Sequence, residues 1–172
     1  MDIVIRLMAD GAVIPVVLIG AVALLFKVRG SRYEAYARIL MAGLTAYLLA
    51  KLAGSIFQPE LERPFEQLGL SAGASYLNNP GFPSDHMLFC TAITLAVWFE
   101  TRSKWLTALL GTLTLLVGVG RILALVHTPL DVAGGIVIAA IGALWYLQNT
   151  SLRQVQRPRQ WSKPAGTAKL AK

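Results

Sequence analysis

The stretch WLTALLGTLTLLVGVGRILALV, residues 105–126, is almost wholly apolar and carries one charge, Arg121, near its end. A helix needs about 20 such residues, each rising about 1.5 Å, to cross the hydrocarbon core of a bilayer. The segment HTPLD, residues 127–131, ends this run and begins another apolar one. The sequence therefore predicts a membrane-spanning helix with polar residues gathered at one of its ends.

Four further apolar stretches have the same character, and together they decide the class of protein. The chain of 172 residues is 55% hydrophobic and 15% charged, which is too apolar for a soluble globule, a disordered chain or a coiled coil. We predict an all-α, polytopic membrane helix bundle of about five transmembrane helices, forming a single domain over residues 1–150. The other four predicted spans are Ala9 to Phe26, Ala37 to Phe57, Ser84 to Phe99 (a short one), and Pro129 to about Gln148.

The remaining segments connect or follow these spans. A short interfacial helix is expected around residues 60–68, within the one long connection. Residues 151–172 form a basic tail that we predict to be disordered and cytoplasmic. The N-terminus lacks the positive region of a secretory signal, so the first span is expected to be retained.

Charge is divided unequally between the two predicted faces of the membrane. One face carries 12 of the 16 basic residues and two of the nine acidic ones, and the other carries the rest. Because basic residues in short loops stay inside, the basic face and the C-terminus should be cytoplasmic. The net charge of +7 then reflects topology and attraction to anionic lipid, and nucleic acid is not expected as a partner.

The polar residues at the opposite, outer face are the most informative part of the chain. An ionisable group costs on the order of 2.5 to 3.5 kcal/mol at mid-depth, so a cluster of such groups at span ends indicates a functional site. The members of this cluster are Lys51, Arg63, Ser84, Asp85, His86, Arg121, His127 and Asp131.

These residue types suit the chemistry of a phosphate group. Arginine forks and the free N–H groups of a helix start bind a multiply charged oxyanion. His127 and Asp131 are four residues apart across Thr128 and Pro129, which are typical of a helix N-cap and first helical position. The carboxylate can therefore reach the imidazole, fix its tautomer and leave the other ring nitrogen as a nucleophile. His86, near the start of another span, is placed to protonate the leaving oxygen.

Three of these motifs resemble the signatures of the PAP2 superfamily of phosphatases. They are Arg63-Pro64, Pro83-Ser84-Asp85-His86, and Arg121 followed by His127 and Asp131, and the resemblance covers about residues 51–135. It implies metal-independent hydrolysis through a phosphohistidine, without a cofactor. The implied roles are nucleophile for His127, its activating partner for Asp131, general acid for His86, and phosphate binding for Arg63, Ser84 and Arg121.

Within the superfamily, the motifs are most similar to bacterial undecaprenyl-pyrophosphate phosphatases of the bacitracin-resistance type. That similarity implies conversion of undecaprenyl pyrophosphate to undecaprenyl phosphate, which recycles the carrier lipid of cell-wall synthesis at the outer leaflet. Two alternatives stay open. One is hydrolysis of another lipid phosphate, such as phosphatidylglycerophosphate or another polyprenyl phosphate. The other is a protein that binds or transports an anionic lipid without cleaving it.

The chain departs from the family pattern at three positions. Ile56 stands where the first motif has a lysine, and Lys51, the nearest base, either binds phosphate or only reaches water along its helix. Asp85 replaces a glycine, and should point away, stabilise the start of its helix, pair with an arginine, or select pyrophosphate over monophosphate. Gly120 replaces a serine, which removes one hydroxyl donor.

Several residues also allow a purely structural interpretation. Arg63 could be a solvated loop charge, and the side chains of Ser84 and Asp131 are expected to cap their helices. Cys90 is expected to be a small buried residue, because one thiol can neither pair nor hold a metal alone. The glycines expected to permit close contacts between helices are Gly111, Gly134, Gly135 and Gly142.

Overall fold

The computed structural model describes residues 3–59, 62–77, 79 and 81–147, and these ranges contain helices and no strand. The all-α prediction is confirmed. The basic tail, residues 151–172, lies outside the described residues, so its predicted disorder stays a prediction. The helices are α1 (Ile3–Phe26), α2 (Arg32–Ile56), α3 (Pro64–Gln67), α4 (Asp85–Thr101), α5 (Lys104–Leu123) and α6 (Pro129–Gly142), the last continuing as a 3-10 turn over Ala143–Tyr146.

Helix α4 lies at the centre of the bundle, where it packs against α1, α2, α5 and α6. It has 17 residues, or about 25 Å at 1.5 Å per residue, and is the shortest of the five long segments when α6 is counted together with its 3-10 turn. Four segments of the described chain are long and apolar enough to cross a membrane: α1, α2, α5, and α6 with its 3-10 turn. These four surround the shorter fifth helix. Cys90 on α4 is fully buried, as expected.

The outward surface of the bundle is apolar, as a lipid-facing surface should be. Leu18, Leu115 and Val137 are each more than half exposed, although a soluble protein would bury most side chains of this kind. An apolar exterior around a core that contains buried arginines is the arrangement expected of a bundle embedded in lipid.

Small residues bring the helices close together, although not at every position expected. A Cβ on Gly135 would lie 2.7 Å from the backbone oxygen of Ser84, and one on Gly142 would lie 2.5 Å from that of Ala42. Gly134 packs in the same way against the ring of Phe82. The expectation for Gly111 is wrong, because no atom of a neighbouring helix lies within 4 Å of its Cβ position.

Helix α1 is irregular near its start. Residues Leu7–Gly11 form a π-helical turn, closed by a hydrogen bond in which the N–H of Ala12 donates to the carbonyl oxygen of Leu7 at 2.9 Å. Pro15 has no N–H to offer the carbonyl of Gly11, four residues earlier, so the regular ladder is already broken here. Such a turn widens the helix locally and changes which residues face a neighbour.

The connection between α2 and α4 contains less helix than expected. The predicted helix around residues 60–68 is observed as the single turn α3, with residues 60 and 61 outside the described part of the chain. Its start is fixed by Glu66, whose carboxylate accepts a hydrogen bond from the backbone N–H of Arg63 at 2.7 Å. Pro64 at the first helical position completes the N-terminal pattern.

At the end of the bundle opposite the motif residues, α2 and α4 are joined by a buried ion pair. Nε and Nη2 of Arg38 donate to the two carboxylate oxygens of Glu100 at 2.8 and 2.7 Å. Glu100 is only 4% exposed, so its charge depends on this two-point contact.

We expect Glu100→Gln to destabilise the protein by about 3 kcal/mol, because it removes the carboxylate that pairs closely with the largely buried charge of Arg38. The measurement is the thermal unfolding midpoint in detergent. The control is Glu34→Gln, which removes a carboxylate that is 57% exposed and 3.9 Å from Arg38, and should cost less than about 0.5 kcal/mol. Equal losses in the two variants would contradict the assignment.

Candidate active site

The three motifs meet at one end of the bundle. The backbone N–H of Ser84 donates to the carbonyl oxygen of Asp131 at 3.0 Å, which joins the second motif to the third. Nη1 of Arg63 donates to the carbonyl oxygen of Val126 at 2.5 Å, which brings the first motif to the residue before His127. The folded chain thus gathers side chains that are up to 68 positions apart into one polar site.

The His127–Asp131 pair is positioned by the start of α6. Thr128 is the N-cap, and its Oγ1 accepts from the N–H of Asp131 at 3.2 Å, while Oδ2 of Asp131 accepts from the N–H of Thr128 at 2.8 Å. The same Oδ2 lies 3.4 Å from Nδ1 of His127, and both side chains are buried. Because the carboxylate faces Nδ1, Nε2 is the nitrogen left to attack a phosphorus atom.

Burial lowers the pKa of the His127 imidazole; the charges of Arg121 and Arg63 act in the same direction, and Asp131 opposes them. The ring is therefore neutral, and nucleophilic, at neutral pH. The chain has two histidines, so in a His86→Gln background the signal of His127 stands alone in a histidine-labelled NMR titration. We expect its pKa to lie below the ordinary histidine value, and Asp131→Asn to lower it further. A rise on loss of the carboxylate would contradict this pairing.

Arg63 is a buried member of the site and not a solvated loop charge. It is 7% exposed, and besides Val126 its guanidinium donates to the carbonyl oxygens of Leu77 and Asn79, each at 3.1 Å. The ring of Tyr76 lies 5.4 Å from its central carbon. Burial lowers the pKa of Arg63, but an arginine keeps its proton in proteins. Its charge therefore stays close to His127.

Arg121 is buried more deeply, at 1% exposure. Its Nη1 donates to Oδ1 of Asp10 at 3.0 Å and to the carbonyl oxygen of Ser75 at 2.7 Å. Its Nε is also buried, yet has no hydrogen-bond partner among the described residues. A buried N–H donor without a partner is costly, and an arginine oriented in this way is suited to receive an anion.

Ser84 and His86 begin α4 beside these arginines. Ser84 occupies the N-cap position by its backbone, but its side chain makes no capping hydrogen bond, so the expected side-chain cap is wrong. Its fully buried Oγ has no partner in the described part of the chain and can serve a ligand instead. His86 is half-buried in the first turn of α4, within electrostatic range of Arg121 and His127.

The structure pairs two of the residues at which the chain departs from the family. Nζ of Lys51 lies 4.0 Å from Oδ1 of Asp85, and also 5.4 Å from the centre of the Tyr47 ring. Of the expected arrangements for Asp85, a partner cation is observed, but it is a lysine and not an arginine. Ile56, at the family's usual lysine position, is 76% exposed.

Asp10 is the site residue that sequence reasoning missed. No motif includes it, although its place at the start of the first predicted span puts it on the same face as the motifs. Among the described residues, no group of three or more His, Cys, Asp or Glu side chains is arranged to hold a metal ion.

A membrane helix bundle with these motifs at one end is typical of a single class of protein. The chain belongs to the PAP2 superfamily, whose pattern matches residues 35–154. That range contains the eight predicted site residues, but not Asp10. The resemblance drawn from the motifs is confirmed.

Two curated relatives give a finer comparison. The chain is 32% identical over 136 residues to the undecaprenyl-diphosphatase BcrC of Bacillus subtilis (strain 168), a match covering 77% of this chain and 66% of that protein. It is 30% identical over 110 residues to the bacitracin transport permease protein BcrC of Bacillus licheniformis, covering 62% of this chain and 51% of that protein. The chain thus spans between about half and two thirds of these relatives' length. No solved structure matches it.

Proposed function

We propose that this protein hydrolyses a lipid-linked phosphate or pyrophosphate, most specifically undecaprenyl pyrophosphate to undecaprenyl phosphate. The observation that carries the proposal is the buried cationic site. Its members are two buried arginines, a serine hydroxyl and an arginine Nε without hydrogen-bond partners among the described residues, and a histidine that faces a carboxylate. Such a set binds a phosphoryl group and offers it a nucleophile.

In the proposed first step, Nε2 of His127 attacks the phosphorus atom. The N–P bond forms while the bond to the leaving oxygen breaks, and His86 supplies the proton that this oxygen takes up. Asp131 stabilises the positive charge that develops on the His127 ring. Arg63 and Arg121 hold the phosphoryl oxygens.

In the second step, water attacks the phosphohistidine and releases inorganic phosphate. His86, now without its proton, can accept one from this water, which returns both histidines to their starting state. The scheme requires neither a metal nor a cofactor, because the arginines neutralise the phosphoryl charge and a histidine is the nucleophile.

The lipid assignment has two supports. One is that the Bacillus subtilis relative is named an undecaprenyl-diphosphatase. The other is an apolar cleft of about 150 Å³ between α2, α4 and α6. Phe89, which lines this cleft, comes three residues after His86 on α4, so a lipid tail in the cleft would lead towards the site. Lateral access of this kind would leave the tail among the helices.

We propose that the site faces outwards from a bacterial cytoplasmic membrane, with the C-terminus inside, on the strength of the basic residues at the opposite end. The test is labelling with an impermeant thiol reagent in intact cells. A cysteine introduced as Ser71→Cys, beside the site, should react, and one introduced as Ser162→Cys in the tail should not. The reverse pattern would invert the orientation.

A second candidate is a protein that binds or transports an anionic lipid without cleaving it. The observation in its favour is that the Bacillus licheniformis relative is named a bacitracin transport permease protein. This function predicts that the His127→Asn variant keeps its affinity for the lipid. It also predicts that neither the parent nor the variant forms product.

The decisive experiment measures phosphate release in detergent, with a chelator present, from undecaprenyl pyrophosphate, undecaprenyl phosphate and phosphatidylglycerophosphate. The proposal expects release that survives the chelator, is fastest with undecaprenyl pyrophosphate and disappears in His127→Ala. If another lipid is hydrolysed fastest, the proposed substrate is wrong but the proposed mechanism stands. No release from any of the three would favour the binding function.

A further inference from the structure

The side chain of Asp10 reaches the site from α1, a helix that carries none of the family motifs. Both of its carboxylate oxygens are engaged: Oδ1 accepts from Nη1 of Arg121 at 3.0 Å and from Oγ of Ser75 at 2.9 Å, and Oδ2 accepts from the N–H of Ser75 at 2.9 Å. One acidic side chain therefore ties together α1, α5 and the loop before α4.

Two local features bring Asp10 to this place. It lies within the π-helical turn Leu7–Gly11, which packs against α5. The contact depends on Gly120, since a Cβ there would lie 2.5 Å from the backbone nitrogen of Ala9. The missing side chain of Gly120, which costs the site a family hydroxyl, thus lets α1 come close enough to place a carboxylate on Arg121.

The contact with Asp10 occupies one side of the Arg121 guanidinium and leaves the other side available. Nη1 is occupied by Asp10 and by the carbonyl oxygen of Ser75, while the buried Nε is left without a partner among the described residues. A phosphate binds an arginine best through two adjacent N–H groups of one edge. The side of the guanidinium that includes Nε is the one that Asp10 leaves to the phosphoryl group.

We propose that Asp10 is a positioning residue for phosphoryl transfer, which holds Arg121 by Nη1 so that its Nε side faces the phosphate. This inference rests on the proposed function. A residue that only anchored α1 would affect folding and nothing else. In protein that has folded, a positioning role predicts that Asp10 stabilises the transition state more than it stabilises bound phosphate.

The test uses p-nitrophenyl phosphate as substrate for the full chain in detergent, and compares the parent with Asp10→Asn and Asp10→Ala. Inhibition by orthovanadate and by inorganic phosphate is measured per amount of folded protein. Vanadate can adopt the five-coordinate geometry of phosphoryl transfer, whereas phosphate reports ground-state binding. Asp10→Asn keeps the size and one acceptor oxygen, so it covers the case in which Asp10→Ala fails to fold.

For Asp10→Ala we expect kcat to fall and the vanadate inhibition constant to rise, both by about 10- to 100-fold, because Arg121 is misplaced. The phosphate inhibition constant should stay within about threefold of the parent value or decrease, since the loss of an acid leaves the site more positive. For Asp10→Asn, kcat and the vanadate inhibition constant should lie between the values of the parent and those of Asp10→Ala. Glu100→Gln is the matched control, because it removes a buried acid far from the site and should leave the ratio of the two constants unchanged.

Two results would overturn the inference. If both Asp10 variants keep the parent's kcat and both inhibition constants, Asp10 only anchors α1. If the two constants change together, Asp10 acts only through its charge. A parent that cleaves neither p-nitrophenyl phosphate nor any of the three lipids would overturn the proposed function and this inference with it, whereas an active parent with unaltered Asp10 variants overturns the inference alone.

Discussion

Replacing His127 by Ala is expected to lower phosphate release by about 10⁴-fold or more, from the lipid and from p-nitrophenyl phosphate alike. The nucleophile is required whatever the leaving group, and no other histidine faces a carboxylate in the described structure as His127 faces Asp131 at 3.4 Å. The measurement is the initial rate at saturating substrate. Rapid acid-free quenching with labelled substrate should trap a phosphohistidine in the parent and none in the variant.

His86 should respond differently, because a general acid matters only when the leaving group needs a proton. We expect His86→Ala to lose about 10²- to 10⁴-fold on the lipid. With p-nitrophenyl phosphate, whose leaving group departs without protonation, a burst of nitrophenol should remain as the phosphohistidine forms. The phosphohistidine should then break down slowly, since the base that accepts a proton from the attacking water is also missing.

The two histidines therefore have separable signatures. Loss of the nitrophenol burst in His86→Ala, to the same extent as the loss of lipid hydrolysis, would contradict its role as acid. Retention of activity in His127→Ala would contradict the covalent mechanism itself. Thr112→Ala, on the exposed side of α5, is a control expected to leave both activities within about twofold, since surface changes away from a site have small effects.

The second large effect is expected at Gly120, where a single added methyl group should destabilise the protein by about 3 kcal/mol. In Gly120→Ala the new Cβ would lie 2.5 Å from the nitrogen of Ala9 and 2.7 Å from the carbonyl carbon of Met8. Both are backbone atoms, so no side chain can rotate away. Helix α1 must move, and the contact between Asp10 and Arg121 should be lost with it.

Gly111→Ala is the matched control, since it is the same change on the same helix at a position with open space. It should be neutral or stabilise the protein by up to about 1 kcal/mol, because alanine favours a helix more than glycine does. Thermal unfolding in detergent and phosphate release are measured for both variants. If Gly120→Ala unfolds at the temperature of Gly111→Ala and keeps its activity, the close approach of α1 is not needed.

Gly120 has a structural role beyond the loss of a family residue. In the sequence alone, it is a position where glycine replaces the serine of the third motif. In the folded chain it is the contact point of two helices, so restoring the family residue with Gly120→Ser should impair the protein rather than improve it.

The fold class, and the meeting of the three motifs at one end of the bundle, could be predicted from the sequence. Apolar runs near 20 residues long have one stable solution in lipid, a helix that satisfies its own backbone. Ionisable residues are costly inside hydrocarbon, so their placement at span ends marks one face of the bundle. The pairing of His127 with Asp131 was predictable for a local reason, because Thr128 and Pro129 start a helix between them.

The tertiary structure decided what depends on contacts between distant segments. Helix α4 lies at the centre because α1, α2, α5 and α6 all pack against it. Arg63 proved buried because loop carbonyls far along the chain receive its hydrogen bonds.

Asp10 joined the site only through the π-helical turn and the bare backbone of Gly120, a contact that spans 111 positions of sequence. Local sequence patterns indicate helix propensity and the free-energy cost of burying a charge, and both are properties of a single segment. Which polar groups share a hydrogen bond is settled only when helices pack, because partner geometry belongs to the pair and to neither segment alone.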